Sequence, residues 1–393
     1  MPRTNPQLLR TYNHRLNGIA PSGIRHFDET ISKNKDLIKL TLGEPDLDTP
    51  EHIKQAAIQG INDNDSHYSA QAGKVELRQA ITNYLSTRWN LEYDAEEVVV
   101  TNGATQSIYS ALQAIVNPGD EVIIPTPIFS LYEPIIEILG GHVIDVDTSD
   151  TGFKLTPSLL ENALKQHPGV VALVINDPNN PTGVSYTADE VKQLGQVIAK
   201  SPIWVLSDEI YSELTFDHDH YSLAREIPDQ VLYINGLSKS LAMTGWRFGY
   251  ICGPSEIMQR VKMINAYMVT CVADNVQDAA LEAMANGQED AYEAKAIYQK
   301  RRDLVSTKLD EMGVEYVMPT STFYCFIKID DSYGKDDYQF GLDLAEKVGL
   351  GVIPGRMFGK SGEGYIRISF AASEAKLTAG LDRLNKFIQL LGK

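Results

Sequence analysis

The chain has 393 residues, enough for two or three domains, and its 43% hydrophobic and 22% charged residues are those of an ordinary soluble globular protein. A formal net charge of −17 with no basic block disfavours nucleic-acid binding by phosphate neutralisation. Three cysteines, Cys252, Cys271 and Cys325, form no CxxC pair, which argues against a disulfide framework or a zinc site. No apolar run is long enough for a membrane helix and the N-terminus does not read as a secretory signal, so the expected location is cytoplasmic, with no membrane partner.

The first forty or so residues are too short to fold alone and are assigned to a smaller domain. Short β-branched runs then recur at 97–101, 121–125, 142–146, 170–176, 203–208, 231–235 and 248–252. Most are continuously apolar rather than alternating, which predicts strands covered on both faces, as in a parallel sheet. Helix-period segments fill most of the gaps, at 104–116, 158–167 and 187–200. The last opens on a capping-box pattern, Thr187 followed by Glu190. Only a loop separates 231–235 from 248–252, so one of those strands is expected to run antiparallel. Beyond 289 come a long charged helix (289–313), short strands at 316–318, 323–329 and 364–370, and a final helix (374–391). The fold class is therefore α/β: a mostly parallel seven-stranded sheet in a large domain, 46–288, plus a smaller α+β domain of 1–45 with 289–393.

Four loops carry candidate chemistry. TNGATQS (101–107) follows a strand and opens a helix, so Gly103 and the free N–H groups behind it suit an anion; alone it also reads as an ordinary N-terminus. NDPNNPTG (176–183) is a rigid turn rich in side-chain amides. SDEIYSEL (207–214) puts Asp208 at the end of a buried strand, where a carboxylate is costly without a partner; the alternative is an N-cap with a helix beginning at Glu209. NGLSKSLAMTGWRFGY (235–250) surrounds Lys239 with small and apolar residues and no other charge before Arg247. A crowded lysine becomes an amine nucleophile, or its stem simply snorkels to water. Together an amine, a strand-end acid, an asparagine turn, the phenol of Tyr211 and a phosphate-type helix terminus meet the needs of pyridoxal phosphate.

NNPTG (179–183), SDEIY (207–211), GLSKSLAMTGWRFGY (236–250) and GYIRISFA (364–371) occur in an order and spacing that resemble the class I/II group of fold type I, pyridoxal-phosphate-dependent aminotransferases. LTLGEPDLDTPEHI, HYSAQAGKVELRQAI and INGLSKS resemble bacterial aromatic amino acid and N-acetyl-diaminopimelate aminotransferases. The resemblance implies a three-layer fold and a role for each matching residue. Lys239 is the Schiff-base lysine and proton shuttle. Asp208 pairs with the pyridinium nitrogen, and Tyr211 and Asn180 bond the ring's phenolic oxygen. Phe129 stacks on the ring. Gly103, Ala104, Thr105, Ser238 and Arg247 hold the phosphate, joined by Tyr68 from the second subunit of a homodimer. Arg367 grips the substrate α-carboxylate, with help from the backbone at Gly43.

The chain departs from the family pattern at Gly236, which removes a serine contact, at Asp177, expected to alter the cofactor pocket edge, and at Ser321 and Thr322, expected to shift the substrate entrance. No second arginine or lysine is assigned to a distal carboxylate. Residues 17–25, Ile24 among them, are candidates to line the substrate pocket. The implied partners are an L-amino acid, aromatic or broadly chosen, and a 2-oxo acid such as 2-oxoglutarate, in a ping-pong reaction without metal. N-acetyl-LL-diaminopimelate or aspartate transamination is the alternative; C–S β-lysis is the alternative of another class.

Overall fold

The computed structural model describes every residue except 1, 2, 11, 35 and 393. Its largest sheet has seven strands in the order Val98–Asn102, Phe248–Cys252, Val231–Gly236, Trp204–Asp208, Val170–Asn176, Glu121–Thr126, His142–Asp147. All neighbours pair in parallel except Phe248–Cys252, which is antiparallel to both strands beside it. The continuous apolar runs are explained by alternation between two cores. Leu173, Val205 and Tyr233 enter one core with Leu77 and Ile81. Val174, Leu206 and Ile234, one residue along each strand, enter the opposite core with Ile108 and Tyr132.

Six parallel strands bring their carboxyl ends to one edge of the sheet, and the antiparallel strand explains what gathers there. Strand Val231–Gly236 arrives at this edge, and strand Phe248–Cys252 departs from it, with Phe248 paired to Asn102. The whole loop 237–247, carrying Ser238, Lys239 and Arg247, therefore stays on the ligand-binding edge beside Gly103.

Helices Ala104–Ile115, Pro157–Gln166 and Ala188–Ile198 occupy the predicted segments. The capping box is present: Thr187 Oγ1 accepts from the Glu190 N–H, and Glu190 Oε2 accepts from the Thr187 N–H at 2.7 Å. No helix begins at Glu209. Asp208 Oδ1 accepts from the Ile210 N–H, and only a short 3-10 turn, Ser212–Leu214, follows.

Beyond helix Gln288–Glu311 lies a four-stranded antiparallel sheet in the order Ile353–Pro354, Tyr365–Ser369, Tyr324–Lys328, Tyr316–Val317. The N-terminal segment joins this part of the molecule, because Ile38–Lys39 pairs in parallel with Leu350–Gly351. Among the described residues no helix is long and apolar enough to cross a membrane.

Candidate active site

A cavity of about 450 Å³ opens at the carboxyl edge of the large sheet. Eleven of the thirteen site residues expected from the sequence line it: Gly43, Ala104, Thr105, Phe129, Asn180, Asp208, Tyr211, Ser238, Lys239, Arg247 and Arg367. Gly103 sits directly behind the helix Ala104–Ile115 with φ +77°. A Cβ there would lie 2.5 Å from Arg247 Nη2, so only glycine lets the guanidinium approach this helix terminus. Tyr68 is elsewhere, 86% exposed in a separate surface recess with His67 and Cys271.

The floor carries Asp208 and Lys239. Asp208 is buried, and its Oδ2 accepts from the Tyr132 hydroxyl at 2.7 Å. Burial pushes its carboxyl up to about 6, with the Tyr132 and Ile210 donors pulling the other way. Lys239 Nζ donates to the Gly43 carbonyl at 2.7 Å. Burial first, then the cations Arg367 and Arg247, bring its amine down to about 8, against the pull of Glu44 and Asp208. Tyr211 shares a 2.9 Å hydrogen bond with Tyr324, and burial pushes its phenol up, so it remains protonated.

The opposite wall carries Arg367, delivered by strand Tyr365–Ser369 and 3% exposed. Its Nη1 donates to Asn180 Oδ1 at 2.9 Å and its Nη2 to the Thr41 carbonyl at 2.7 Å. The guanidinium carbon lies 4.3 Å from the Tyr324 ring centroid and 4.9 Å from that of Phe358. Its Nε has no partner, and no carboxylate pairs with it among the described residues. A buried guanidinium in that state is poised for an anion from outside the chain.

The sequence profile described as "Aminotransferase class I and II" matches residues 35–384. The chain belongs to the class I and II aminotransferases. It is 44% identical over 377 residues to the "Probable N-acetyl-LL-diaminopimelate aminotransferase" of Bacillus subtilis (strain 168), covering 96% of this chain and 95% of the relative. It is 33% identical to the "Aromatic-amino-acid aminotransferase 2" of Thermococcus litoralis, covering 95% and 97%. A solved structure of the aspartate aminotransferase from Thermus thermophilus with maleate superposes with a TM-score of 0.90 at 33% identity, covering 95% of this chain and 99% of that one.

Aminotransferases of this family work with pyridoxal phosphate, and the cavity fits that group. The helix Ala104–Ile115 has no side chain capping its first turn, and Arg247 stands beside it, as a phosphate requires. The raised Asp208 carboxyl awaits a cation, and the lowered Lys239 amine suits a carbonyl. The orphaned Arg367 Nε suits a carboxylate.

Two expectations about the aminotransferase pocket are overturned. Asp177 does not border the cavity. Strand alternation turns Asn176 toward it and Asp177 away, where Asp177 Oδ1 accepts from the Tyr186 N–H at 3.2 Å. Ser321 and Thr322 are fully buried, with Ser321 Oγ donating to the Gly183 carbonyl at 2.8 Å; the residue of that turn which reaches the cavity is Tyr324. Tyr132 and Tyr324 are the functional residues that sequence reasoning missed. Tyr132 opens helix Tyr132–Leu139, and its ring lies edge-on to that of Phe129, with the centroids 6.4 Å apart.

Proposed function

We propose that this aminotransferase moves the amino group of an L-amino acid, aromatic or of broad choice, to a 2-oxo acid such as 2-oxoglutarate. The observation that carries the reading is one cavity holding a free-base-prone amine, Lys239, with a buried carboxylate, Asp208, and a buried guanidinium, Arg367, that has no counterion among the described residues. The apolar lining by Ile24, Leu42, Ile108, Phe129 and Leu131 supports donors with apolar side chains.

Bound there, pyridoxal phosphate supplies an electron sink for the pair released when the donor's α-C–H bond breaks. The Lys239 amine would take the proton from the donor's α-carbon and give it back in the course of the transfer. Asp208 would keep the ring nitrogen protonated. Tyr211 and Asn180 would hold the phenolic oxygen by hydrogen bonds, and Phe129 would cover the ring. The N–H groups behind Gly103 at Ala104 and Thr105, together with Ser238 and Arg247, would hold the phosphate. Arg367 and the Gly43 backbone orient the α-carboxylate, placing the α-carbon at Lys239.

The same proposal includes a cytoplasmic homodimer in which Tyr68 completes the phosphate site of the second copy. Supporting it, Tyr68, Tyr267 and Ile61 are 86%, 89% and 60% exposed. It also divides the chain into 46–288 and 1–45 with 289–393, which the pairing of Ile38–Lys39 with Leu350–Gly351 supports. The similarity to the Bacillus relative favours N-acetyl-LL-diaminopimelate as the second reading of the substrate.

The test is a visible spectrum of the holoenzyme titrated with phenylalanine, tyrosine, aspartate and glutamate, without a keto acid. Conversion of lysine-bound cofactor to its amine form by phenylalanine or tyrosine is expected. A response to glutamate alone moves the reading to the diaminopimelate substrate. Pyruvate and ammonia released from cystathionine would replace transamination by β-lysis.

A further inference from the structure

Two buried tyrosines, Tyr211 and Tyr324, meet in the cavity wall, with their hydroxyls 2.9 Å apart. Neither hydroxyl has a second hydrogen-bond partner among the described residues. Burial pushes both phenols up, so both stay protonated. A phenol carries one proton to donate. The pair therefore holds two protons and uses one between its members. The other is left for a group from outside the chain.

Tyr324 is held from three sides. It opens strand Tyr324–Lys328, and the neighbouring strand Tyr365–Ser369 sets Arg367 opposite Phe326. Tyr324 stands two residues before Phe326 on the same face, so its ring meets the guanidinium diagonally, with the guanidinium carbon 4.3 Å from the ring centroid. Before it in the chain, Thr322 has φ +62°, a conformation that is costly for a β-branched residue, and its Oγ1 accepts from the Tyr324 N–H at 3.1 Å. A Cβ at Gly43 would collide with the Tyr324 hydroxyl, so bare backbone closes over that oxygen. The Gly43 carbonyl in turn accepts from Lys239 Nζ at 2.7 Å. Tyr211 stands beside that amine, with Nζ 5.8 Å from its ring centroid.

We propose that Tyr324 is a positioning residue for the cofactor: its hydroxyl donates to the Tyr211 oxygen and thereby commits the Tyr211 proton to the cofactor's phenolic oxygen. The inference rests on the aminotransferase reading of the cavity. Accepting a hydrogen bond polarises the Tyr211 hydroxyl and makes it the stronger donor. The Arg367 cation beside the Tyr324 ring strengthens Tyr324 as a donor in the same direction. In this role Tyr324 acts only through Tyr211.

The experiment follows the visible absorbance of the lysine-bound cofactor across pH in four holoenzymes: the parent, Tyr324→Phe, Tyr211→Phe and the double variant. A donor on the phenolic oxygen stabilises negative charge there and so favours the deprotonated form. Tyr211→Phe should raise the midpoint by about one pH unit, the worth of one neutral hydrogen bond. Tyr324→Phe keeps the ring against Arg367 and should raise the midpoint by about 0.3 pH unit, with KM for amino acids near parental. The double variant should match Tyr211→Phe, because the two residues act in series. An unmoved midpoint in Tyr324→Phe, additive shifts in the double variant, or a raised KM with a parental midpoint overturns the role of Tyr324 while leaving transamination intact. A parent protein that binds no cofactor through lysine and converts no amino acid defeats the functional reading itself.

Discussion

Asp208 and Glu209 are adjacent buried carboxylates on opposite sides of one strand end, and they live under different rules. Glu209 faces the core, where Ser207 Oγ at 2.8 Å, Ser222 Oγ at 2.7 Å and His220 Nε2 at 2.6 Å satisfy it. Asp208 faces the cavity with two neutral donors and no ion-pair partner among the described residues. The saturated carboxylate is architecture. The undersupplied one is where the chain leaves room for a ligand's charge, as at Arg367.

The sharpest way to break this contrast is on the cavity side. Lys239→Ala removes the amine proposed to move the α-proton, and kcat is expected to fall about 10⁴-fold, at the upper end of general acid–base effects. Near-parental turnover in a steady-state assay would end the proposed mechanism.

The next test sets the two carboxylates against each other. Asp208→Asn is expected to cost on the order of 10²-fold or more in kcat. The same change stabilises the apoprotein. The folded carboxyl titrates near 6 against an ordinary value of 3.8, so the folded state is penalised for ionising it. That penalty is fully present above about pH 6 and fades as pH falls toward 4. Asp208→Asn should therefore gain on the order of 1–3 kcal/mol at pH 8 and nothing at pH 4. Glu209→Gln is expected to do the reverse, losing about 1–3 kcal/mol by unsettling His220 and its serine partners. Thermal unfolding of both apoproteins across pH decides it; the same sign for both variants would erase the distinction.

A smaller effect concerns Lys239 in the apoprotein. Its amine reacts only when unprotonated, and it titrates near 8. The rate of pyridoxal phosphate capture should rise about tenfold per pH unit below that value and level off above it. A rise continuing to pH 10 would place the amine in an ordinary aqueous setting.

Tyr132→Phe should give the smallest change. It removes one neutral donor to Asp208, which raises that carboxyl further, and kcat should drop about 3- to 10-fold. A shift of the acidic limb of the pH–rate profile to higher pH separates this from simple loss of packing.

Much of the molecule was readable locally. The seven apolar runs became seven strands because burial on both faces demands continuous apolarity. Thr187 and Glu190 marked a helix start because a capping box is contained within four residues. The very short strands Ile38–Lys39, Leu350–Gly351 and Ile353–Pro354 left no readable pattern, since two residues carry no period. At Asp177 and at Ser321 and Thr322, the expectation of a pocket role failed because motif position does not say which way a side chain turns.

The sequence by itself determined the inventory: an amine in a crowded loop, an acid closing an apolar strand, a glycine before a helix and an arginine among apolar strand residues. Each is a local statement about chain type and backbone. Tertiary structure alone decided who meets whom. Tyr132 reaches Asp208 across 76 positions, Arg367 reaches Asn180 across 187, and Lys239 reaches Gly43 across 196. It also left Arg25 at the cavity mouth, with no partner among the described residues, and Tyr68 outside the cavity. The physical reason is that charge state, donor supply and ligand access are set by burial and by contacts between distant segments, which exist only once the sheet edge has gathered its loops.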